Sequence, residues 1–334
     1  MPQHADNSRL LRAESHDGHA RVTFTELFFD LVFVFALTQL SHLLLHDLSA
    51  LGALQTGLVL VAVWWAWVYT TWVTNWLDPD TTPVRLLLFA LMFGGLVLAA
   101  AIPQAFEARA VWFACTYVAI QLGRSLYMLW ALRGHSPGNF RNFQRVTTWL
   151  SVSGALWIAG SLLTGPARLG LWGLATAIET AGPAAGFWTP GLGRSTTDDW
   201  KIAGGHLAER CGLFVIIALG ESLLLTGATM AEIAWTWTVL AGIVVCILGT
   251  IAMWWIYFNV GAERASRLIA ASADPGALAR IAYTYLHVVI VAGIIVCAVA
   301  DEIVLKHPDH GGLAERAAIT GGPALFVLGC LLFK

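Results

Sequence analysis

Charge is what this chain has least of. Only 12% of its 334 residues are Asp, Glu, Lys or Arg, about half the usual share for a globular protein. Hydrophobic residues make up 57%, and the mean hydropathy is +0.69. A soluble 36.1 kDa globule could not cover its surface at that composition, which argues against a soluble enzyme. The net charge is −2, from 19 basic and 21 acidic residues. That balance excludes a disordered chain and a basic nucleic-acid binder. Lysine occurs only at positions 201, 306 and 334, outside the apolar runs, so no span offers a retinal Schiff base. Neither a G-x-x-x-x-G-K-[ST] phosphate loop nor an H-E-x-x-H zinc motif is present. The five cysteines, Cys115, Cys211, Cys246, Cys297 and Cys330, form no C-x-x-C pair and lie in apolar runs. They read as small buried residues rather than disulfides or metal ligands. No metal and no cofactor is expected. The polar residues 1–23 lack the apolar core and cleavage site of a signal peptide, and read as an unstructured cytoplasmic tail.

What is present is a series of long apolar runs. Windows of about 20 residues, the length needed to cross a bilayer, give ten candidate helices. They cover 26–46, 51–75, 84–106, 110–132, 146–164, 168–188, 207–228, 234–258, 281–304 and 317–333. The expected fold is an all-α polytopic bundle, with a tail over 1–23 and one transmembrane helical domain over 24–334. With the N-terminus inside, thirteen basic residues fall on inner segments, four on outer ones and two within spans. That asymmetry follows the positive-inside rule and predicts a cytoplasmic N-terminus and a place in the cytoplasmic membrane. The lipid bilayer is then the principal partner, and nothing points to nucleic acid. Thr23-Phe-Thr-Glu26 reads as a capping box opening the first helix. Pro103 and Pro183 fall within spans and predict kinks.

Ionisable groups inside a span cost roughly 2.5–3.5 kcal/mol each on insertion scales, so they are the functional candidates. Here they are Asp30, Arg124, Glu179, Glu209, Arg210 and Glu221, with Glu26 at the edge of the first span. At about 1.5 Å per residue, Asp30 lies roughly 6 Å in from the cytoplasmic end of its helix. Glu209, Arg210 and Arg124 fall at similar depth. Asp30, Glu26, Arg124, Glu209, Arg210 and His206 therefore read as an inner charge network that orders or gates the helices. On the seventh helix His206, Arg210 and Glu221 share a face within about 60°. Gly220, next to Glu221, predicts close approach of a neighbouring helix. On the fourth, Tyr117, Gln121, Arg124 and Met128 form one stripe. The four acids in the spans outnumber the two arginines. Glu179 and Glu221 lie nearest the midplane, and they are the candidates to bind a proton or a cation.

Two stretches carry a family resemblance. The first is Glu26-Leu-Phe-Phe-Asp30-Leu-Val-Phe-Val-Phe-Ala36-Leu-Thr-Gln39-Leu-Ser41. The second is His206-Leu-Ala-Glu209-Arg210-Cys-Gly-Leu-Phe-Val-Ile-Ile-Ala-Leu-Gly220-Glu221-Ser222. In order and spacing they resemble the bacterial low temperature requirement protein A family, as do Arg124 and Glu179-Thr-Ala-Gly-Pro183. The resemblance implies a polytopic membrane protein linked to growth at low temperature, and it carries no molecular activity with it. Two functions from different classes are expected. The leading one is a secondary transporter or proton- or cation-handling protein for a small solute or cation. The alternative is a non-transporting membrane scaffold or sensor. A lipid-directed intramembrane enzyme stands third, because no nucleophile motif surrounds Ser222.

Overall fold

The computed structural model describes residues 7–12, 22–195, 204–262, 278–306 and 311–333. Among the described residues ten α-helices of 19 to 29 residues form the fold. They are α1 (Phe24–His46), α2 (Ala50–Trp76), α3 (Thr82–Ala101), α4 (Ala110–Leu132), α5 (Pro137–Ser161), α6 (Gly165–Ala184), α7 (Gly204–Glu232), α8 (Trp237–Trp255), α9 (His287–Lys306) and α10 (Leu313–Phe333). α8 runs on as a π-helix, Ile256–Ala262, and a second π-helix, Arg280–Leu286, leads into α9.

The helices fall where the apolar runs predict, with two instructive differences. α5 begins nine residues before the expected position 146, because Pro137 suits the first turn of a helix and residues behind it bond to the segment after α6, Arg145 Nε donating to Leu192 O (3.0 Å) and Asn142 Oδ1 accepting from Ser195 Oγ. Its Asn142 and Arg145 are buried. The prolines end helices instead of kinking them. Pro103 sits in a 3₁₀ turn just after α3, and Pro183 is the penultimate residue of α6.

Among the described residues, seven helical stretches are long and apolar enough to cross a membrane: Phe24–His46, Ala50–Trp76, Thr82–Gln104, Gly205–Glu232, Trp237–Asn259, Arg280–Lys306 and Leu313–Phe333. The protein is therefore a membrane protein with several apolar helices. α4, α5 and α6 fall outside that group, so the measure gives seven spans where the runs predict about ten. These three carry Gln121 and Arg124, Asn142 and Arg145, and Arg168 and Glu179, all buried.

The chain divides into two compact units. One comprises Met1–Phe33 and Val61–His206, the other Val34–Leu60 and Leu207–Lys334. In the first, α2 is buried all round from Ala62 to Val73, as expected of a helix without a polar face. Trp65, Tyr69 and Trp72 are buried within it. Phe113, Trp157 and Trp172 pack with ring centroids 5.0 to 6.0 Å apart. A second cluster joins Val73, Leu77, Val84, Met128, Leu132 and Phe143 to Leu10. Part of the expected tail is thus built into the fold. Arg12 N donates to Trp76 O (2.8 Å) and Asp78 N to Leu10 O (2.8 Å). Residues 1–6 and 13–21 of that tail lie outside the described residues.

Arginines plug the ends of helices throughout this unit. Arg12 Nε donates to Thr74 O (2.8 Å) at the end of α2. Arg109 Nη1 donates to Ala100 O (2.6 Å) at the end of α3, and Arg168 Nη2 to Ser161 O (3.4 Å) at the end of α5. A helix C-terminus offers orphan carbonyls and negative partial charge, and a guanidinium satisfies both.

The second unit packs differently. α9 and α10 touch through glycines. A Cβ at Gly322 would stand 2.8 Å from Cys297 N, and one at Gly329 would stand 2.9 Å from Ile290 N. One at Gly293 would overlap the backbone of Phe326. Only residues without a side chain permit such backbone contact, the usual means of pairing helices in lipid.

Candidate functional site: buried carboxylates in two units

The most extensive polar arrangement lies in the first unit around Glu179 of α6. Its Oε1 accepts from Trp157 Nε1 of α5 (3.1 Å), and its Oε2 accepts a short hydrogen bond from the Tyr117 hydroxyl of α4. Tyr117 in turn accepts from Gln121 Nε2 (2.9 Å), and Gln121 Oε1 accepts from Arg124 Nη2. Arg124 Nη1 then donates to Ala66 O (3.0 Å) and Thr70 Oγ1 (3.0 Å) of α2. All five side chains are buried, none more than 4% exposed. The Tyr117, Gln121, Arg124 stripe foreseen on the fourth helix is the middle of this chain. Its spacing of four and three places the groups one above another.

The direction of donation is uniform. Arg124 donates to Gln121, Gln121 to Tyr117, and Tyr117 to Glu179. Aligned hydrogen bonds polarise one another, so the arginine's charge is felt at the carboxylate although the two do not touch. This revises the count that left Glu179 without a basic counterpart. It also gives Arg124 different company from the inner layer expected for it.

Glu26 organises a second cluster in the same unit, at the start of α1. The capping box forms in both directions. Glu26 N donates to Thr23 Oγ1 (3.3 Å), and Glu26 Oε2 accepts from Thr23 N (2.9 Å). That oxygen also meets Arg12 Nη2 (3.0 Å), while Oε1 lies 2.9 Å from His206 Nε2. His206 Nδ1 lies 3.4 Å from Asn75 Nδ2. Glu26 and His206 are fully buried. Asp30, one helical turn on, is also fully buried and accepts from Trp67 Nε1 at 2.7 Å.

In the second unit, Arg210 and Glu221 of α7 are buried at 0% and 4% exposure, in keeping with a shared inward face. Glu209 is exposed, against the expectation that it joins the buried network. Adjacent helical residues point about 100° apart, and α7 turns Arg210 and Cys211 inward while Glu209 falls on the exposed side. Glu221 is faced by the hydroxyl of Thr38, which also donates to Val34 O (3.1 Å). The close approach expected at Gly220 is not found, since a Cβ there would meet nothing within 4 Å.

The same unit holds an aromatic box joining the two π-helices. His287 Nδ1 donates to Ala282 O (2.8 Å), which leaves Nε2 to accept from the Tyr257 hydroxyl (2.8 Å). Phe333 and Tyr283 lie 4.5 and 5.4 Å from the His287 ring. A π-turn frees backbone groups from the regular ladder, and here a histidine captures one of them.

Some participants were not singled out in the sequence. Arg12 counted only as an inner basic residue, and Asn75 and Trp157 had no signal beyond being polar or aromatic in a span. Asp301 had one. It lies within the expected ninth span, where the rule that selects Glu179 selects it too.

The family model for the bacterial low temperature requirement A protein matches residues 21–334. A protein of Rhizobium meliloti (strain 1021), named as uncharacterized protein RA0937, is 43% identical over 333 residues, covering 98% of this chain and 80% of that protein. No solved structure matches. Both stretches that carried the resemblance, 26–41 and 206–222, lie within the matched region, and the chain belongs to the bacterial low temperature requirement A family.

Proposed function

We propose that this protein is a proton-handling secondary transporter of the bacterial cytoplasmic membrane, with Glu179 as the carboxylate that is loaded and unloaded. The observation that carries the reading is the one-way chain of donors ending on Glu179. Both carboxylate oxygens accept, an arrangement suited to the ionised form. Once protonated, Glu179 must itself donate, and the Tyr117 hydroxyl is the neighbour free to turn. Gln121 and Arg124 then lose their register, and Arg124 holds α2 at Ala66 and Thr70. Proton load at α6 is thereby coupled to α2. A metal cation would have to displace Tyr117 or Trp157, which favours the proton. In this reading all ten helices span the bilayer with the N-terminus inside, and α4 to α6 are tolerated because their polar groups face one another. Glu221 is the second carboxylate. Glu26, His206 and Asp30 order the helices of the first unit, and Arg210 those of the second.

A second reading draws on the same network. Every polar group from Trp157 to Thr70 is satisfied, as in a structural core. That favours a scaffold or sensor serving growth in the cold. Proton flux in proteoliposomes separates the two. Transport predicts flux in the wild type that falls at least tenfold in Glu179→Gln and in Tyr117→Phe, both shown to be folded. The scaffold predicts no wild-type flux and changes in stability alone.

A further inference from the structure

The second unit contains a cavity of about 320 Å³ bounded by α8, α9 and α10. That size is at the lower end of small-molecule pockets. Its walls are mostly aliphatic, with Met253, Val304 and Phe326 among them. Asp301 is the one carboxylate among the described residues that line it, and none of those residues is basic. The groups that face Asp301 are neutral, the Cys246 thiol and the Ser222 hydroxyl. Val245, Ile319 and Val327 line the cavity and are exposed on the surface of the isolated chain. In a membrane protein such a rim of exposed aliphatic residues faces hydrocarbon, so the cavity is reached from the bilayer.

These features select a ligand. A carboxylate in an apolar chamber, with no cationic side chain on its walls, is complemented by a positive charge brought from outside. The rest of the chamber rewards hydrocarbon. We propose that the cavity binds an ammonium group on a small apolar body, with the nitrogen at Asp301 and the hydrocarbon against Met253, Val304 and Phe326. This site is separate from Glu179 and its relay, and it does not depend on the transport reading.

Two cysteines on the cavity wall, Cys246 and Cys297, make the test direct. The full-length wild-type protein is placed in phosphatidylcholine nanodiscs and treated with a small methanethiosulfonate, and labelling is read by peptide-resolved mass spectrometry. Cys115, which is exposed and does not line the cavity, is the internal control. Hexylammonium is expected to slow labelling of Cys246 and Cys297 at least tenfold and to leave Cys115 unchanged. Hexanol and hexanoate at the same concentration should slow it less than twofold. Asp301→Asn should erase the difference between hexylammonium and hexanol. Where that variant does not fold, Val304→Trp, which fills the cavity and keeps the acid, should abolish protection instead. Equal protection by all three compounds in the wild type would overturn the proposal, as would none by hexylammonium. Where neither thiol reacts without an amine, equilibrium binding of radiolabelled hexylammonium to the wild type and to Val304→Trp decides instead, and no binding to the wild type would overturn the proposal. Protection by phosphatidylethanolamine in addition to hexylammonium would support the ammonium chemistry and place its source in a lipid headgroup.

Discussion

The two units solve the same problem by opposite means. Helices in lipid gain little from burying apolar surface, since the solvent is itself apolar, and need other reasons to associate. The first unit uses polar side chains. Its α2, α4, α5 and α6 are tied by a chain of hydrogen bonds through Thr70, Arg124, Gln121, Tyr117, Glu179 and Trp157. The second unit uses the absence of side chains. Its α9 and α10 meet backbone to backbone at Gly293, Gly322 and Gly329. The first strategy lowers the hydropathy of its helices, which is why α4 to α6 fall short as spans. The second leaves α8 and α9 strongly apolar. Specificity in one unit therefore lies in donors and acceptors, and in the other it lies in shape.

This contrast can be broken by mutation, and the largest effect belongs to the polar unit. Glu26→Ala removes the carboxylate shared by Arg12, His206 and the capping box, and should cost about 3–5 kcal/mol, read by thermal unfolding in detergent. An unchanged midpoint would show that the cluster does not stabilise the fold. In the packed unit, Gly322→Leu drives a side chain into the backbone of Cys297 and should cost about 3 kcal/mol, the upper end for overpacking. The same change at Gly173 of α6, where a Cβ would meet nothing within 4 Å, should be tolerated. Comparable losses at the two glycines would dissolve the distinction. Tyr117→Phe keeps the ring and deletes one link in the relay, for a loss of about 2 kcal/mol. Smallest of all, Glu209→Gln should leave stability within about 0.5 kcal/mol, because the side chain is exposed. A large loss there would return it to the buried network.

Much of this was legible in the residues. The all-helical fold, the capping box at Thr23 and Glu26, and the polar stripe on α4 follow from hydropathy and spacing alone. Pairing was harder. Counting acids against bases assumes that buried arginines seek carboxylates, whereas Arg124 holds a carbonyl, a hydroxyl and an amide. Backbone carbonyls are invisible in a tally of charged residues, so the tally misplaced Arg124 and left Glu179 apparently unbalanced. Arg12 escaped for another reason. A short segment before the first apolar run has no periodicity to show that it docks on the end of α2. Gly220 and Gly322 look alike in sequence, and only the fold tells which one a neighbour presses upon.

The indole bonds to two buried acids of the first unit have a consequence for observation. Trp67 donates to Asp30 at 2.7 Å and Trp157 to Glu179 at 3.1 Å. An indole's absorption and emission shift with the electric field along its N–H. Each acid therefore has a chromophore attached, and a change in its ionisation is written into the near-ultraviolet spectrum. Subtracting the spectrum of Trp157→Phe from that of the wild type would isolate the signal at Glu179 from the chain's other tryptophans. The carboxylate proposed to carry the proton can thus be watched by light alone, in an unlabelled protein.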